Sequence, residues 1–435
     1  MTSTALLTDH YELTMLQAGL TSGAAHRRSV FELFARRLPG GRRYGVVAGT
    51  GRLLDALADF RFADAEITHL REHGIVDDET IDFLASYRFS GNIWGYPDGE
   101  LYFPQSPVLV VESSFAEAVL LETLVLSILN HDSAIASAAS RMTYAAGERP
   151  CIEMGSRRTH EEAAVAAARA AYVAGFATTS NLEAGRRYGV PTAGTSAHSF
   201  TLLHDTERDA FTAQIRSLGV GTTLLVDTYD VAEAVRLGVE IAGPELGAVR
   251  LDSGDLVSLA GQVRAQLDEL GATGTRIVVT SDLDEYAIAA LAAAPVDAYG
   301  VGTQLVTGSG HPTSGFVYKL VAHQETAVTD GGGDWVDVAK KSKDKVSIGG
   351  RKFSARRVVD GTAEAEVVVV SDPGVEPEWR AGERPVLVPL VIEGETVTGE
   401  PLDVARERHR ERLAELPLRG HRLSKGDPVL PVELR

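Results

Sequence analysis

Polar and charged side chains follow seven successive apolar runs in the middle of the chain. Ligands of βα sheets and barrels bind at the carboxyl ends of the strands, so these side chains are the first candidates for chemistry. In chain order they are Glu153 with Arg157 and Arg158, Thr179 with Ser180 and Asn181, Thr195 with His198, Asp227 with Asp230, Arg250 with Asp252 and Asp255, Ser281 with Asp282, and Gly302 with Thr303. For Asp230, Asp255 and Asp284, an N-cap of the following helix is the preferred interpretation.

The mixture of charges suits a phosphorylated sugar. The guanidinium groups of Arg157, Arg158 and Arg250, and a Gly-Thr turn before a helix, suit phosphate through bidentate donors and free backbone N–H groups. Carboxylates suit ribose hydroxyls and a hydrated Mg²⁺, which keeps most of its waters and takes few protein ligands. A sugar phosphate that carries pyrophosphate is therefore the expected ligand.

His198 lies in the segment GTSAHSF, directly after an apolar run and among small residues. A lone histidine is more often structural than catalytic, but small neighbours leave this ring accessible. A neutral imidazole acts either as a base or as a nucleophile that accepts a phosphoryl group. The sequence favours a chemical role for His198 and leaves both roles open.

The segments that must position these side chains alternate between strands and helices from Cys151 to about Leu320. The expected strands are Val190–Ala193, Thr222–Val226, Ala248–Leu251, Arg276–Thr280 and Val296–Tyr299. The expected helices are Glu161–Ala174, Val231–Val239, Leu256–Leu270 and Glu285–Ala293. Strands separated by helices of this length predict βαβ units and a parallel sheet or barrel.

The two ends of the chain have a different texture. Residues 89–113 and 313–400 consist of short strand-like runs interrupted by Gly and Pro, so we interpret both ends as one split, mostly β domain. The predicted parts are residues 1–115, an α/β barrel at 116–320, and residues 321–435.

Three further elements are expected outside the alternating segment. A long helical stretch, Phe115–Ala146, leads into the barrel, and a charged helix, Leu402–Glu415, lies near the end of the chain. The basic stretch Lys340–Arg357 is expected to form a solvated hairpin.

Composition excludes several classes of protein. A net charge of −18 argues against a nucleic-acid partner, which needs concentrated Lys and Arg. The one cysteine, Cys151, allows neither an intrachain disulfide nor a thiolate zinc cluster. No Walker A or dinucleotide-binding motif occurs.

The sequence also bears on location. The N-terminus has no basic region typical of a signal peptide. The apolar stretch Ala116–Leu129 contains two glutamates and is too short to span a bilayer, so a cytoplasmic protein without a membrane partner is expected.

Several segments follow one another in the order that is typical of the nicotinate phosphoribosyltransferase family, which the chain resembles. They are LLTDHYELTML at 6–16, LLETLVLSILN at 120–130, GTSAHSF at 194–200, LLVDTYD at 224–230, VRLDSGDL at 249–256, SDLDEY at 281–286, YGVGTQLVT at 299–307 and GFVYKLV at 315–321. The resemblance covers roughly residues 6–350 and is specific because several independent motifs keep one order. The last 80 or so residues contribute nothing recognisable.

The resemblance implies a type II phosphoribosyltransferase fold, an irregular α/β barrel with a split, mostly β domain, assembled as a homodimer with shared active sites. It implies transfer of the phosphoribosyl group from 5-phosphoribosyl 1-diphosphate to nicotinate, which gives nicotinate mononucleotide and pyrophosphate in NAD salvage. Mg²⁺ is the implied cofactor, and ATP is the implied co-substrate, whose hydrolysis is coupled to the transfer. In the family, the histidine at the position of His198 is transiently phosphorylated.

The resemblance also implies roles by position. Tyr11, Thr195 and Arg250 match residues assigned to nicotinate, and Ser180, Asn181 and Met154 complete the expected substrate-binding set. Asp227, Asp252 and Asp282 match carboxylates around ribose, pyrophosphate and Mg²⁺. Gly302 and Thr303 match the binder of the ribose 5-phosphate, and Arg157 matches a residue that reaches a phosphate across the dimer interface; Arg158 and Ser281 complete the expected phosphate-binding set. Catalytic roles are expected for His198, Asp227 and Asp252, the last two also as Mg²⁺ ligands.

Two positions concern how the pyridine ring is held. The family usually has an aromatic residue at the position of Met154, in EMGSRR, where it stacks on the ring; a thioether also makes favourable contacts with aromatic rings. The related nicotinamide enzyme has an aspartate at the position of Ser180. A carboxylate there would repel nicotinate, so serine favours the acid over the amide.

Three alternatives stay open at this point. A nicotinamide or quinolinate phosphoribosyltransferase would share the architecture, although the quinolinate enzyme is usually much shorter and lacks the phosphorylated histidine. A non-catalytic paralogue that binds phosphoribosyl diphosphate should have lost His198 or an aspartate, and none is missing. A lysine-dependent barrel aldolase or isomerase is disfavoured because the strand ends offer no lysine before Lys319.

Overall fold

The computed structural model describes residues 3–331, 333–339, 341–342, 345–346 and 348–435. The chain forms two compact units. One contains Met1–Ser137 and His311–Arg435, so it is assembled from both ends of the chain, and the other contains Ala138–Gly310. We refer to them as the split unit and the central unit.

The central unit is built on a six-stranded parallel sheet. Across the sheet the strands are Thr178–Thr179, Cys151–Glu153, Ala298–Val301, Arg276–Ser281, Ala248–Leu251 and Thr223–Leu225. The two outermost strands are neighbours in the chain but do not pair with each other. The sheet therefore follows the circular strand order of a barrel that stays open at one seam, as the predicted irregular barrel requires.

Helices connect these strands as the sequence predicts. They are Glu161–Val173, Leu182–Tyr188, His198–Leu203, Glu207–Leu218, Val231–Ala242, Leu256–Glu269, Glu285–Ala290 and Thr303–Val306, with a 3₁₀ turn at Leu291–Ala293. The N-cap interpretation is confirmed at three aspartates, because Asp230, Asp255 and Asp284 each accept backbone N–H groups from the helix that follows.

Two strand predictions are corrected. The expected strand Val190–Ala193 is reduced to a single parallel bridge between Thr192 and Thr179, because Pro191 has no N–H with which to continue a ladder. The expected strand Val296–Tyr299 begins at Ala298, since the N–H of Val296 is used in a tight turn onto the carbonyl of Ala294, 2.8 Å away.

The split unit is mostly β, as predicted. Its seven-stranded antiparallel sheet has the order Trp335–Asp337, Phe316–Gln324, Arg28–Ala35, Pro107–Ser114, Asn92–Gly95, Val388–Ile392 and Glu395–Thr396. A four-stranded sheet has the order Glu383–Pro385, Arg351–Val359, Thr362–Ser371 and Val432–Leu434. Two small pairs join Gly45–Val46 with Leu101–Tyr102, and Lys341–Ser342 with Lys345–Val346. Strands from both chain ends lie side by side in the larger sheet.

The helices of the split unit contribute to the apolar core of this larger sheet, except Leu402–Ala414, which contacts strand Leu101–Tyr102. They are His10–Thr21, Thr50–Ala58, Asp64–Glu72, Asp78–Ser86, Phe115–Val119 and Leu402–Ala414, with 3₁₀ turns at Ala24–His26, Pro39–Gly41, Val328–Asp330 and Leu418–His421. The long helix Glu122–Ala146 begins in the split unit and contributes its residues after Ser137 to the central unit.

The unit boundaries lie closer to the chain centre than the predicted limits of 115 and 320. Strand Phe316–Gln324 pairs along its length with Arg28–Ala35, and Asn130 accepts the backbone N–H of Phe316 over 2.8 Å. These hydrogen bonds group the segment before Gln324, and the first half of the long helix, with the split unit.

The expected solvated hairpin at Lys340–Arg357 is wrong for its second half. Positions 340, 343, 344 and 347 lie outside the described residues, and the flanking pairs 341–342 and 345–346 do form a two-stranded ladder. Arg351, Lys352 and Arg356, however, are buried in a central strand of the four-stranded sheet. Each meets a buried carboxylate, which compensates its charge.

No helix in the described part of the chain combines the length and the apolar character that a membrane span requires.

Candidate active site

The predicted site residues of the central unit lie at one edge of its parallel sheet. Each follows or ends a strand, and the carboxyl ends of parallel strands meet at the same edge. They are Met154, Arg157 and Arg158 after the strand ending at Glu153, Ser180 and Asn181 after Thr179, Asp227 after Leu225, Arg250 and Asp252 at the end of Ala248–Leu251, Ser281 and Asp282 at the end of Arg276–Ser281, and Gly302 and Thr303 after Val301. Thr195 and His198 lie just beyond the bridge at Thr192.

His198 faces two carboxylates. Its Nε2 lies 3.9 Å from Oδ1 of Asp227 and 3.9 Å from Oδ2 of Asp252, distances too long for direct hydrogen bonds. The other ring nitrogen, Nδ1, lies 3.1 Å from Oγ1 of Thr228. With its side chain 41% exposed, the imidazole is oriented by Thr228 and presents Nε2 to solvent beside the two acids.

Asp227 has one oxygen in use and one without a partner. Its Oδ2 accepts the backbone N–H of Asp252 over 2.9 Å and the hydroxyl of Ser253 over 2.7 Å. Its Oδ1 is buried and has no hydrogen-bond partner among the described residues. A buried acceptor of this kind calls for a ligand, and here it points towards the same space as His198 Nε2.

Asp252 links two strands. Its Oδ1 accepts a hydrogen bond from the hydroxyl of Thr280, which belongs to the neighbouring strand, while Oδ2 faces His198. No group of three or more His, Cys, Asp and Glu suited to a metal occurs within the ranges that the structure describes. Two carboxylates with free lone pairs fit Mg²⁺, because this ion keeps most of its waters.

Arg250 provides positive charge at the same edge. Its Nη1 donates to the hydroxyl of Thr195 over 3.3 Å, and its buried Nε has no hydrogen-bond partner in the described part of the chain. Burial lowers the pKa of Arg250; the charges of Asp252 and Asp227 oppose that shift, and Arg157 adds to it. Arg250 and Arg157 are therefore close enough to repel each other, which an anion between them would relieve.

Glu153 ends a strand at the same edge, and the sequence predicts no role for it. Its carboxylate is buried, accepts the N–H of Gly155 over 2.5 Å, and accepts the hydroxyl of Thr179. Burial raises the pKa of Glu153 above its usual value, and these two hydrogen bonds oppose the rise without cancelling it. Because Gly155 begins the turn that carries Arg157, Glu153 joins that turn to the neighbouring strand end at Thr179.

The residues expected around the pyridine ring have mixed environments. Met154 is half-buried, and a Cβ at Gly300 on the adjacent strand would lie only 2.8 Å from its sulfur. Ser180 is exposed. Asn181 accepts the N–H of Ala184 over 2.9 Å as the N-cap of the next helix, and its Nδ2 donates to Ser156 over 3.0 Å, so much of its hydrogen-bonding capacity is structural.

A second supporting carboxylate lies behind the Gly302–Thr303 turn. Glu285 is buried; its Oε1 accepts from Nε of Arg141 over 2.9 Å and its Oε2 accepts from the hydroxyl of Ser309 over 2.7 Å. Ser309 has a φ of 52° and donates its N–H to Gln304 over 2.6 Å. Glu285 thereby holds the end of the short helix Thr303–Val306. This role of Glu285 cannot be predicted from the sequence, because its partner Arg141 lies 144 positions away in the chain.

Tyr11 belongs to the split unit, on helix His10–Thr21. Partial burial and the nearby carboxylates, first among them Glu122, raise the pKa of its phenol to about 12. Glu122 in turn lies 3.6 Å from the ammonium group of Lys319. Tyr11 is thus a protonated phenol beside an ion pair, with its side chain half exposed.

Comparison with known proteins identifies similar sequences along almost the whole chain. Residues 6–130 match the family model described as the nicotinate phosphoribosyltransferase N-terminal domain, and residues 150–356 match the model of the nicotinate phosphoribosyltransferase family. Nicotinate phosphoribosyltransferase pncB1 of Mycobacterium tuberculosis is 58% identical over 435 residues, covering 98% of this chain and 94% of that protein. Nicotinate phosphoribosyltransferase of Bacillus subtilis is 36% identical over 392 residues, covering 87% and 78%.

Two solved structures share the fold. Human nicotinic acid phosphoribosyltransferase superposes with a TM-score of 0.82 at 26% identity, covering 98% of this chain and 97% of that one. The nicotinate-nucleotide pyrophosphorylase of Pyrococcus furiosus superposes with a TM-score of 0.77 at 23% identity, covering 94% and 95%, which bears on the fold alone. Because the 58% match spans 98% of this chain, the similarity also reaches into the last 80 or so residues, where the sequence motifs gave no signal.

Proposed function

The chain belongs to the nicotinate phosphoribosyltransferase family, and from this premise we propose that it is the nicotinate phosphoribosyltransferase of a cytoplasmic NAD salvage route. The observation that carries the proposal is the 58% identity, over 98% of the chain, to a protein with that activity. The ring nitrogen of nicotinate forms a bond to C1 of 5-phosphoribosyl 1-diphosphate, the bond from C1 to the diphosphate oxygen breaks, and pyrophosphate leaves.

Charge supports the assignment of the substrate-binding residues. Arg250, flanked by the Thr195 hydroxyl, offers a partly buried cation for the carboxylate of nicotinate. Ser180 adds no negative charge, which favours nicotinate over nicotinamide. Met154 provides a polarisable thioether to contact the ring, and Asn181 is proposed to complete this set. Tyr11 is proposed to bind nicotinate on the ground of the family resemblance alone.

The phosphates are assigned to the positive and backbone donors of the same edge. Arg157 and Arg158 are both exposed at their turn and are proposed to bind the diphosphate and phosphate groups. The turn at Gly302 and Thr303 is proposed to bind the ribose 5-phosphate, with Ser281 as a further phosphate donor. Asp282 is proposed to lie beside the ribose and the Mg²⁺-bound pyrophosphate. Glu285 bonds Ser309, whose N–H donates to the carbonyl of Gln304, and this link to the helix that follows the turn supports a positioning role.

Asp227 and Asp252 are the residues that would hold Mg²⁺. The unpartnered Oδ1 of Asp227 and the Oδ2 of Asp252 both face the space in front of His198 Nε2. When bound there, the ion would neutralise the negative charge of the leaving pyrophosphate. Hydrogen bonds within the chain hold the two carboxylates in place: Asp227 accepts from the N–H of Asp252 and the hydroxyl of Ser253, and Asp252 accepts from the hydroxyl of Thr280.

We further propose that ATP is a co-substrate and that His198 is its phosphoryl acceptor. The proposal uses the tautomer in which Nδ1–H donates a hydrogen bond to the Thr228 hydroxyl, 3.1 Å away, so that Nε2 keeps the lone pair that attacks the γ-phosphorus. The bond from that phosphorus to the β-phosphate oxygen breaks, ADP leaves, and water later releases phosphate from the histidine. Net hydrolysis of one ATP then accompanies each turnover and favours mononucleotide formation.

A homodimer with shared sites is proposed for the assembly. The central unit exposes large apolar side chains on the segments that border its strand edge, among them Leu182 at 78%, Leu203 at 78% and Tyr229 at 60% exposure. Apolar surface of this kind is typical of an interface. The net charge of −18 gives no support to a nucleic-acid partner.

The test is an assay of the purified protein with nicotinate, nicotinamide and quinolinate, each with 5-phosphoribosyl 1-diphosphate and Mg²⁺, with and without ATP. Nicotinate mononucleotide should form from nicotinate, faster and to a higher extent with ATP. Absence of any mononucleotide from nicotinate would contradict the proposal, and a preference for nicotinamide would transfer it to the amide enzyme.

A further inference from the structure

A cavity of about 400 Å³ lies in the split unit, and none of its lining residues belongs to the central unit. This volume falls in the range of about 300–1,000 Å³ that is typical of small-molecule sites. Trp94, Trp335 and Phe353 line it from three different strands. Two of the three tryptophans of the protein thus surround one space.

The floor of the cavity is a buried cation between aromatic rings. The guanidinium carbon of Arg351 lies 3.5 Å from the ring centroid of Phe353 and 5.0 Å from that of Trp94. Its Nε donates to Glu112 over 2.9 Å, and its Nη1 donates to the carbonyl of Lys352 over 2.6 Å. Because Glu112 and the two rings already compensate this charge, the floor does not require an anionic ligand.

The remaining charges of the lining cancel. Arg28 and Glu376 both line the cavity and are exposed, and they carry opposite charges. With Arg351 and Glu112 paired, the lining has no net charge, which favours an uncharged ligand.

One lining atom lacks a hydrogen bond. Oε1 of Gln324, at the end of strand Phe316–Gln324, is buried and has no hydrogen-bond partner in the part of the chain that the structure describes. A buried amide oxygen without a donor is costly, so a ligand N–H at this point would restore a hydrogen bond that folding removed from water. The cavity therefore combines aromatic walls, neutral charge and one acceptor.

We propose that this cavity is a second small-molecule site, which binds a neutral, planar nitrogen heterocycle bearing an N–H donor. The ring packs against Trp94, Trp335 and Phe353, and its N–H donates to Oε1 of Gln324. The proposal is independent of the reaction assigned to the central unit, because it uses no residue of that unit.

Tryptophan fluorescence provides a direct test, with adenine as the probe. The third tryptophan, Trp379, is not one of the lining residues, so the variant W379F retains only the two cavity tryptophans as emitters. Adenine should quench W379F in a saturable manner. Caffeine, a planar purine without an N–H donor, should bind at least about tenfold more weakly, as expected for one lost hydrogen bond.

The variant W379F/Q324M removes the acceptor at similar size and should weaken adenine binding by about tenfold, with thermal unfolding compared to show that the fold is kept. If that variant does not fold, the test is the difference in affinity between adenine and caffeine, measured by fluorescence quenching of W379F. A lack of saturable quenching by adenine, equal affinity for caffeine, or loss of the adenine signal under saturating ATP would overturn the inference. Adenine binding in a protein that does not turn over nicotinate would leave it intact.

Discussion

The backbone N–H of Asp252 donates to Oδ2 of Asp227 over 2.9 Å, so the carboxylate that follows one strand fixes the turn that carries the carboxylate of the next. The second oxygen of Asp227 is left unpartnered among the described residues and faces His198. One side chain therefore does two tasks, holding Asp252 in place and offering a free acceptor for a ligand.

The first prediction concerns this double task. Asp227→Asn should lower kcat/KM for 5-phosphoribosyl 1-diphosphate by about 10²–10³-fold, because it removes the charge and presents an amide to the N–H of Asp252. It should also raise the Mg²⁺ concentration needed for half-maximal rate. Asp230→Asn, three residues further on, is the matched control, since Asn caps a helix as well as Asp does. Similar rates for the two variants would show that Asp227 has no catalytic task.

The second prediction concerns Glu285, which holds both Arg141 and Ser309. Glu285→Gln should raise KM for 5-phosphoribosyl 1-diphosphate by about tenfold with little change in KM for nicotinate, because the turn at Thr303 loses its support. Glu233→Gln, exposed on a helix of the same unit, should leave both constants unchanged. Equal increases in both KM values for Glu285→Gln would indicate a general loss of structure instead.

The third prediction is a pH dependence of stability. Burial raises the pKa of Glu12 from 4.5 to about 7, while hydrogen bonds from Thr123 and Thr8 oppose the shift. The carboxyl is protonated in both states well below pH 4.5. Between pH 4.5 and about 7 it ionises in the unfolded chain but keeps its proton in the folded protein, so the free energy of unfolding falls across this pH window. Its contribution to stability is therefore present in acid and lost in that window.

Glu12→Gln removes the titration, so it should match the wild type near pH 4.5 and exceed its free energy of unfolding by up to about 3 kcal/mol above pH 7. Denaturant unfolding across this range measures the difference. Glu79→Gln, on the exposed face of helix Asp78–Ser86, should show no such trend. A constant difference between Glu12→Gln and the wild type at all pH values would contradict the assignment.

The fourth prediction concerns the buried ion pairs of strand Arg351–Val359. Arg356 donates to Glu366 over 2.9 Å and to Glu100 over 2.7 Å, with all three side chains buried. Arg356→Met takes the paired cation from the buried carboxylate of Glu366, while Glu100 keeps its pairs with Arg384 and Arg412. It should reduce the free energy of unfolding by about 3–5 kcal/mol. Arg357→Met removes the adjacent, partly exposed pair with Glu433 and should cost at most about 1 kcal/mol. Equal losses would show that burial of Arg356 is not what makes its pair important.

The polar strand ends can be predicted from the sequence because the strands of a βα unit are apolar, whereas the residues at their carboxyl ends are polar. For this reason the sequence predicts Asp227, Arg250, Asp252 and Thr303 as site residues, and the structure brings them to one edge. Their roles in binding and catalysis stay predictions.

The supporting contacts could not be predicted in the same way. The pair of Arg141 and Glu285 joins residues 144 positions apart, and nothing local in either segment indicates the other. The sequence predicts a solvated basic run around Arg351 and Arg356, and the structure differs for the same reason, since Glu112 and Glu100 lie more than 200 positions away. Local polarity predicts where a ligand edge lies, whereas burial of a charge depends on a partner supplied by the fold.

The central claim, that His198 accepts a phosphoryl group from ATP, is tested most directly by labelling. Protein incubated with ATP labelled at the γ-phosphorus should take up about one acid-labile phosphoryl group per chain. His204→Ala, which alters a histidine of the same segment whose Nδ1 lies 2.8 Å from the carbonyl of Phe200, should label fully. His198→Ala should take up none and lose the stimulation by ATP while retaining slow ATP-independent turnover. Full labelling of His198→Ala, or no labelling of the wild type, would contradict the account.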